Sequence, residues 1–114
     1  MRALLSVIAL TSSIAIAHSA EVTLDLPGEV EDSTVSYSCE DGTELDVRYV
    51  NAGSVSLAVF DWEGDRYVGS AAISASGARY VADRFVWWTS GEEATLSDEL
   101  AGADADPLAT CTEK

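Results

Sequence analysis

Positive charge, histidine and sulfur are scarce in this 114-residue sequence, and each scarcity closes off a class of function. Six Lys and Arg stand against 20 Asp and Glu, a formal net charge of −14. A surface this acidic repels phosphate backbones, which excludes nucleic acid as a partner and favours a cationic one. The one histidine, His18, lies close to the N-terminus, so Ser-His-Asp or Cys-His catalysis and histidine-based metal sites have no foundation in the rest of the chain. The two cysteines lack Cys-x-x-Cys spacing and have no third soft ligand, so no metal and no cofactor is expected. Beyond the first twenty residues, no apolar run approaches the length of a membrane span.

Those first twenty residues read as a secretory signal peptide. Arg2 supplies a positive start, residues 3–16 are uncharged and largely apolar, and small residues follow. Cleavage fits after Ala17, Ser19 or Ala20, with an uncleaved anchor as the alternative. No cysteine precedes Cys39, so a bacterial lipoprotein attachment site is missing. The expectation is a soluble periplasmic or secreted protein, with residues 21–114 as one domain and no stable membrane insertion of the mature chain. Removing residues 1–20 takes away Arg2 and no acid, leaving five Lys and Arg against 20 Asp and Glu, a net −15.

With 47% hydrophobic residues the chain is not compositionally disordered, and its apolar residues alternate with polar ones in short runs. Period-two alternation predicts strands at 22–26, 35–39, 45–49, 55–59, 67–72, 79–81, 85–88 and 94–96, about eight in all. Turn residues separate them: Asp41-Gly42, Asn51-Ala52-Gly53, Glu63-Gly64, Ser76-Gly77 and Ser90-Gly91. No segment has a convincing helical period; residues 96–105 have room for one irregular turn. The pattern predicts an all-β meander, barrel or sandwich.

Cys39 and Cys111 are 72 positions apart. In an exported chain an even pair reads as a disulfide, with two free thiols as the alternative. Asp61, Glu63 and Asp65 superficially resemble a calcium loop, but glycine stands at 64 and alanine at 72, where that loop needs other residues; a solvated hairpin tip is the better reading. Asp104 and Asp106 read as an exposed acidic loop. Carboxylates are plentiful, yet no pair is singled out for glycoside hydrolysis, and the chain is read as a non-enzyme.

The stretch Ser74-Ala75-Ser76-Gly77-Ala78-Arg79-Tyr80 is a run of small residues ending in Arg and Tyr between two strands. On composition alone it reads first as a hairpin turn; its narrowness and the Ser76 hydroxyl also suit entry into a groove. This heptapeptide resembles the signature of the MliC/PliC family, bacterial inhibitors of c-type (chicken-type) lysozyme. The surrounding order matches as well: Tyr37-Ser38-Cys39, Asp41-Gly42, Val47 and Tyr49, Trp87-Trp88-Thr89-Ser90-Gly91, and the late Cys111. The resemblance covers about residues 35–111.

That resemblance implies a fold, a partner and a set of site residues. The fold would be a small antiparallel eight-stranded β-barrel with one disulfide, Cys39 to Cys111. The partner would be a c-type lysozyme, a cationic protein whose two catalytic carboxylates flank the scissile bond. Ser76 would enter the cleft, Gly77 would let the loop tighten, and Arg79 and Tyr80 would brace or extend the contact. Where the family carries a lysine, this sequence has Ser90, which bears no charge to place against a carboxylate. The competing reading is an exported β-barrel binding module for another cationic protein or an envelope component. Monomer and dimer both stay open.

Overall fold

The computed structural model describes residue 3 and residues 7–13 and 20–114. The signal-peptide reading falls partly on residues 1–2, 4–6 and 14–19, which lie outside that set. Eight strands succeed one another in chain order: β1 (Glu31–Cys39), β2 (Glu44–Ala52), β3 (Val55–Trp62), β4 (Asp65–Ala72), β5 (Ala78–Ala82), β6 (Phe85–Ser90), β7 (Glu93–Asp98) and β8 (Ala109–Glu113). One 3-10 turn, Glu99–Ala101, comes after β7, within the segment that has room for an irregular turn. Each strand pairs antiparallel with the next, and β8 returns to β1, closing the barrel.

The barrel forms because alternate residues of every strand face one interior. Tyr37 and Cys39 of β1, Leu45 and Val47 of β2, and Ala58 and Phe60 of β3 are buried, while their sequence neighbours are more exposed. A narrow barrel cannot fill its interior with large residues at every position. Here Trp87, fully buried, is the central filler; Tyr37 meets it edge-on at 5.1 Å between ring centroids. Ala58, Ala82, Ala94 and Ala109 complete the wall. At Gly69 even a Cβ would lie 3.2 Å from that of Tyr80.

Two sequence expectations change. Residues 21–30 carry no strand, and Val22 and Leu24 are 84% and 63% exposed. Their alternation is real, but no strand of the barrel pairs with them: β1 is bonded to β2 along its length and to β8 at its end. The eighth strand is instead β8, whose run Ala109-Thr110-Cys111-Thr112-Glu113 is too short and weakly apolar to stand out by alternation. The count of about eight is therefore right, with one member misplaced.

Closure rests on a short seam. Besides its pairing with β7, β8 reaches only the end of β1, through Tyr37 with Glu113, Ser38 with Thr112, and Cys39 with Cys111. The last of these register pairs is covalent: the two cysteines form the expected disulfide. On the outer wall, Arg48 donates to Asp32 (2.9 Å), Arg66 to Asp61 (2.8 Å) and Arg84 to Asp98 (3.0 Å). These guanidinium hydrogen bonds hold all three carboxyls below their usual range.

This architecture can be tested at the seam and along the wall. Replacing both cysteines (Cys39→Ala with Cys111→Ala) should lower the unfolding free energy by about 2–4 kcal/mol in denaturant titrations. An unchanged midpoint would contradict a stabilising seam. Because Asp32, Asp61 and Asp98 have depressed carboxyl pKa values when folded, their contribution is present above the unfolded value near pH 4. It is lost as pH falls through the folded values. Thermal midpoints should thus fall in the acid range, and fall less steeply in Asp-to-Asn variants than in the parent; acid-independent midpoints would contradict the assignment.

Candidate functional site

In an up-and-down barrel alternate connections share an end. The β2–β3, β4–β5 and β6–β7 turns lie at one end, opposite the β1–β2, β3–β4 and β5–β6 turns and the 99–108 segment. Ser76 and Gly77 belong to the β4–β5 loop, and Ser90 and Gly91 to the β6–β7 turn, so the fold brings the two stretches onto one rim.

The loop is held by its backbone. The Ser76 carbonyl accepts from the Ser74 hydroxyl (2.5 Å) and from the Trp88 indole N–H (3.0 Å). Ser76 itself is exposed. Gly77 adopts a left-handed φ of 66°, and a Cβ built there would sit 2.1 Å from the Thr89 carbonyl oxygen. That backbone approach ties the loop to the strand leading into Ser90, and only glycine permits it. Ser90, the exposed last residue of β6, pairs with Glu93 across its turn.

Arg79 and Tyr80 are placed differently. Arg79 lies on the outer face, in register with Trp88, and its guanidinium reaches Glu99 at 3.5 Å. Glu99 belongs to the opposite end of the barrel, so this cation is drawn away from Ser76. Tyr80 is 7% exposed and faces the interior, with its ring 5.6 Å from that of Tyr49. Any support it gives the loop therefore comes from inside the wall. Burial pushes its phenol pKa up.

Beside this rim the barrel has a notch, because β8 stops short of the start of β1. A cavity of about 300 Å³ opens there, lined among others by Tyr37, Tyr49, Asn51, Tyr80, Thr89 and Glu113. The Trp87 indole donates to the Tyr49 hydroxyl (2.8 Å), which shares a 2.7 Å hydrogen bond with Tyr37. Burial raises both phenols' pKa values. They remain neutral hydrogen-bonding groups at physiological pH, suited to binding rather than proton transfer.

Five basic side chains occur among the described residues, and each has a carboxylate within reach: Arg48, Arg66, Arg79, Arg84 and Lys114 pair with Asp32, Asp61, Glu99, Asp98 and Glu44. Ser76 and Ser90 thus present hydroxyls on an acidic molecule. Asp61, Glu63 and Asp65 form no ion cradle: Asp61 is bound by Arg66, and Glu63 and Gly64 make the β3–β4 turn. No group of three potential metal ligands occurs among the described residues. Sequence reasoning missed Trp88 as a loop contact. Its available signal was the adjacent pair Trp87-Trp88, which in a strand must put one ring inside and the other outside.

The chain is similar to known proteins in both sequence and fold. The family model described as membrane-bound lysozyme-inhibitor of c-type lysozyme matches residues 37–104. A protein of Pseudomonas aeruginosa named membrane-bound lysozyme inhibitor of C-type lysozyme is 43% identical over 94 residues, covering 80% of this chain and 74% of that one. One of the same name from Cupriavidus necator is 44% identical over 81 residues, covering 70% of this chain and 65% of its own length. The solved structure of Pseudomonas aeruginosa MliC in complex with hen egg white lysozyme superposes with a TM-score of 0.72 at 37% identity, covering 88% of this chain and all of that one. The periplasmic lysozyme inhibitor of C-type lysozyme from Salmonella typhimurium gives 0.63 at 26% identity, covering 74% and 99%.

The close approach at Gly77 makes a sharp prediction. Gly77→Ala should force the loop off the Thr89 carbonyl and destabilise the chain by about 1–3 kcal/mol in thermal unfolding. Gly91→Ala, whose Cβ would meet nothing within 4 Å, carries only the cost of its own positive φ. Equal effects of the two variants would contradict the contact.

Proposed function

The chain belongs to the family of inhibitors of c-type lysozyme, and from that premise we propose that it acts by inserting the Ser76 loop into the cleft of a c-type lysozyme. The observation that carries this reading is an exposed serine whose carbonyl is held from behind at the barrel rim. A lysozyme cleft carries two carboxylates in unlike protonation states. A hydroxyl can accept from the protonated one and donate to the ionised one, displacing the sugar from between them. The net charge of −15 after removal of residues 1–20 would attract a cationic enzyme over long range, raising the association rate.

The same premise covers location. Both cysteines of the sequence are joined to one another, so neither offers a thiol for a lipid. The reading is a soluble inhibitor exported by the segment 1–20, in contrast to relatives whose names call them membrane-bound. Ser90, together with the engagement of all five described basic side chains, favours one further reading: a barrel that binds another cationic protein or envelope component. Recovery of only a non-lysozyme partner from host secretions or the cell's own envelope would support that alternative.

Lysis assays with hen egg-white lysozyme test the leading reading. The purified chain should inhibit, more rapidly at low than at moderate salt, and Ser76→Ala should weaken inhibition about tenfold or more. Ser90→Lys, which introduces a cation on the same rim, should strengthen it by a comparable factor. No inhibition at large molar excess by either the parent or the lysine variant would sink the proposal.

A further inference from the structure

Trp88 has no place in the barrel core, and its position instead matches a task at the loop. Its neighbour Trp87 fills the interior, whereas Trp88 is only half-buried on the outer face, paired with Arg79 on β5 and Thr95 on β7. Its indole N–H donates to the Ser76 carbonyl at 3.0 Å, and the Ser74 hydroxyl donates to the same oxygen. A carbonyl oxygen has two lone pairs, so the two donors match its capacity. The ring also lies close beneath the loop: a Cβ on Gly77 would come within 3.3 Å of Trp88 Cε2.

Apolar packing does not hold this loop. Ile73, its one large apolar residue, is 99% exposed, and Ala75, Ser76 and Gly77 are exposed as well. The order of residues 73–77 therefore depends on the close backbone approach at Gly77 and on the two donors to the Ser76 carbonyl. We propose that Trp88 is a positioning residue: its indole N–H latches the Ser76 carbonyl and thereby fixes the loop, in the free protein, in the conformation in which it binds. The inference rests on the cleft-insertion reading for its functional consequence, but not for the latch itself. A chain that populates the competent loop for only part of the time binds with an affinity reduced by that fraction. The loss then falls mainly on the association rate, because the contacts made in the complex are unchanged.

The test is Trp88→Phe, which keeps an aromatic ring on the outer face and removes only the donor. In the free parent, backbone 15N order parameters for residues 74–77 should lie near about 0.85, falling below about 0.6 in the variant. Ser74→Ala, which removes the other donor, should lower them less, and the two changes together more than either. Against hen egg-white lysozyme, Trp88→Phe should bind about 5- to 10-fold more weakly through slower association at an unchanged dissociation rate. Phe60→Leu serves as a control: it should lower the thermal midpoint without slowing association. A variant loop as ordered as the parent's, or binding unchanged by Trp88→Phe, overturns the latch. If the loop loosens as expected but the parent binds no c-type lysozyme, the latch stands and the cleft-insertion reading fails.

Discussion

The seam between β1 and β8 is the constraint on which the rest of the molecule depends. Seven successive hairpin pairings would leave a curled sheet with two open edges; the return of β8 to the last residues of β1 makes a closed barrel. The strand that performs the closure buries little of itself, since Ala109 and Cys111 are its only buried residues. Its covalent tie to Cys39 compensates for that deficit. A chain of this size has little core to rely on, and a cross-link between distant positions is the expected remedy. Closure also fixes the rim, because the connections that carry Ser76 and Ser90 meet only when their strands are held in one ring.

Charge is distributed unevenly between the wall of the barrel and its rim. The basic side chains among the described residues are engaged with carboxylates along the outer wall or, in Arg79, drawn toward Glu99. Such exposed pairs add little to stability individually. Their greater effect is to leave the rim with neutral hydroxyls in a strongly negative surrounding field. In the proposed reading, long-range attraction to a cationic protein belongs to the whole molecule, whereas selectivity belongs to a few residues at one end. In the same reading Ser90 fits this division, as a neutral hydroxyl on the rim of a strongly acidic molecule.

Much of this is legible in the chain itself. Alternation at 35–39 and 45–49 marks the inward face, whereas at 55–59 the apolar alternation runs along the outer face and Ala58 and Phe60 fill the interior. Glycine at 42, 64, 77 and 91 marks turns that need positive φ. The β5–β6 turn is less legible because Asp83, rather than glycine, takes the left-handed conformation there. Residues 22–26 carry an alternation that no strand of the barrel pairs with, and β8 becomes a strand through its partner more than through its own residues. The site shows the same boundary. Ser76, Gly77 and Ser90 are readable from a motif, whereas the inward turn of Tyr80 and the reach of Trp88 to the Ser76 carbonyl depend on register across three strands.

The central claim is that recognition is confined to one end of the barrel and enters the partner's cleft. Its most direct measurement is an amide chemical-shift titration of the 15N-labelled chain with hen egg-white lysozyme, with the cleft free or filled by a chito-oligosaccharide. The largest shifts should cluster at residues 74–77 and 89–91 and disappear when the cleft is filled. Shifts centred on the opposite end, around Asp41, Glu63 and residues 99–108, or shifts that persist with the cleft filled, would contradict it.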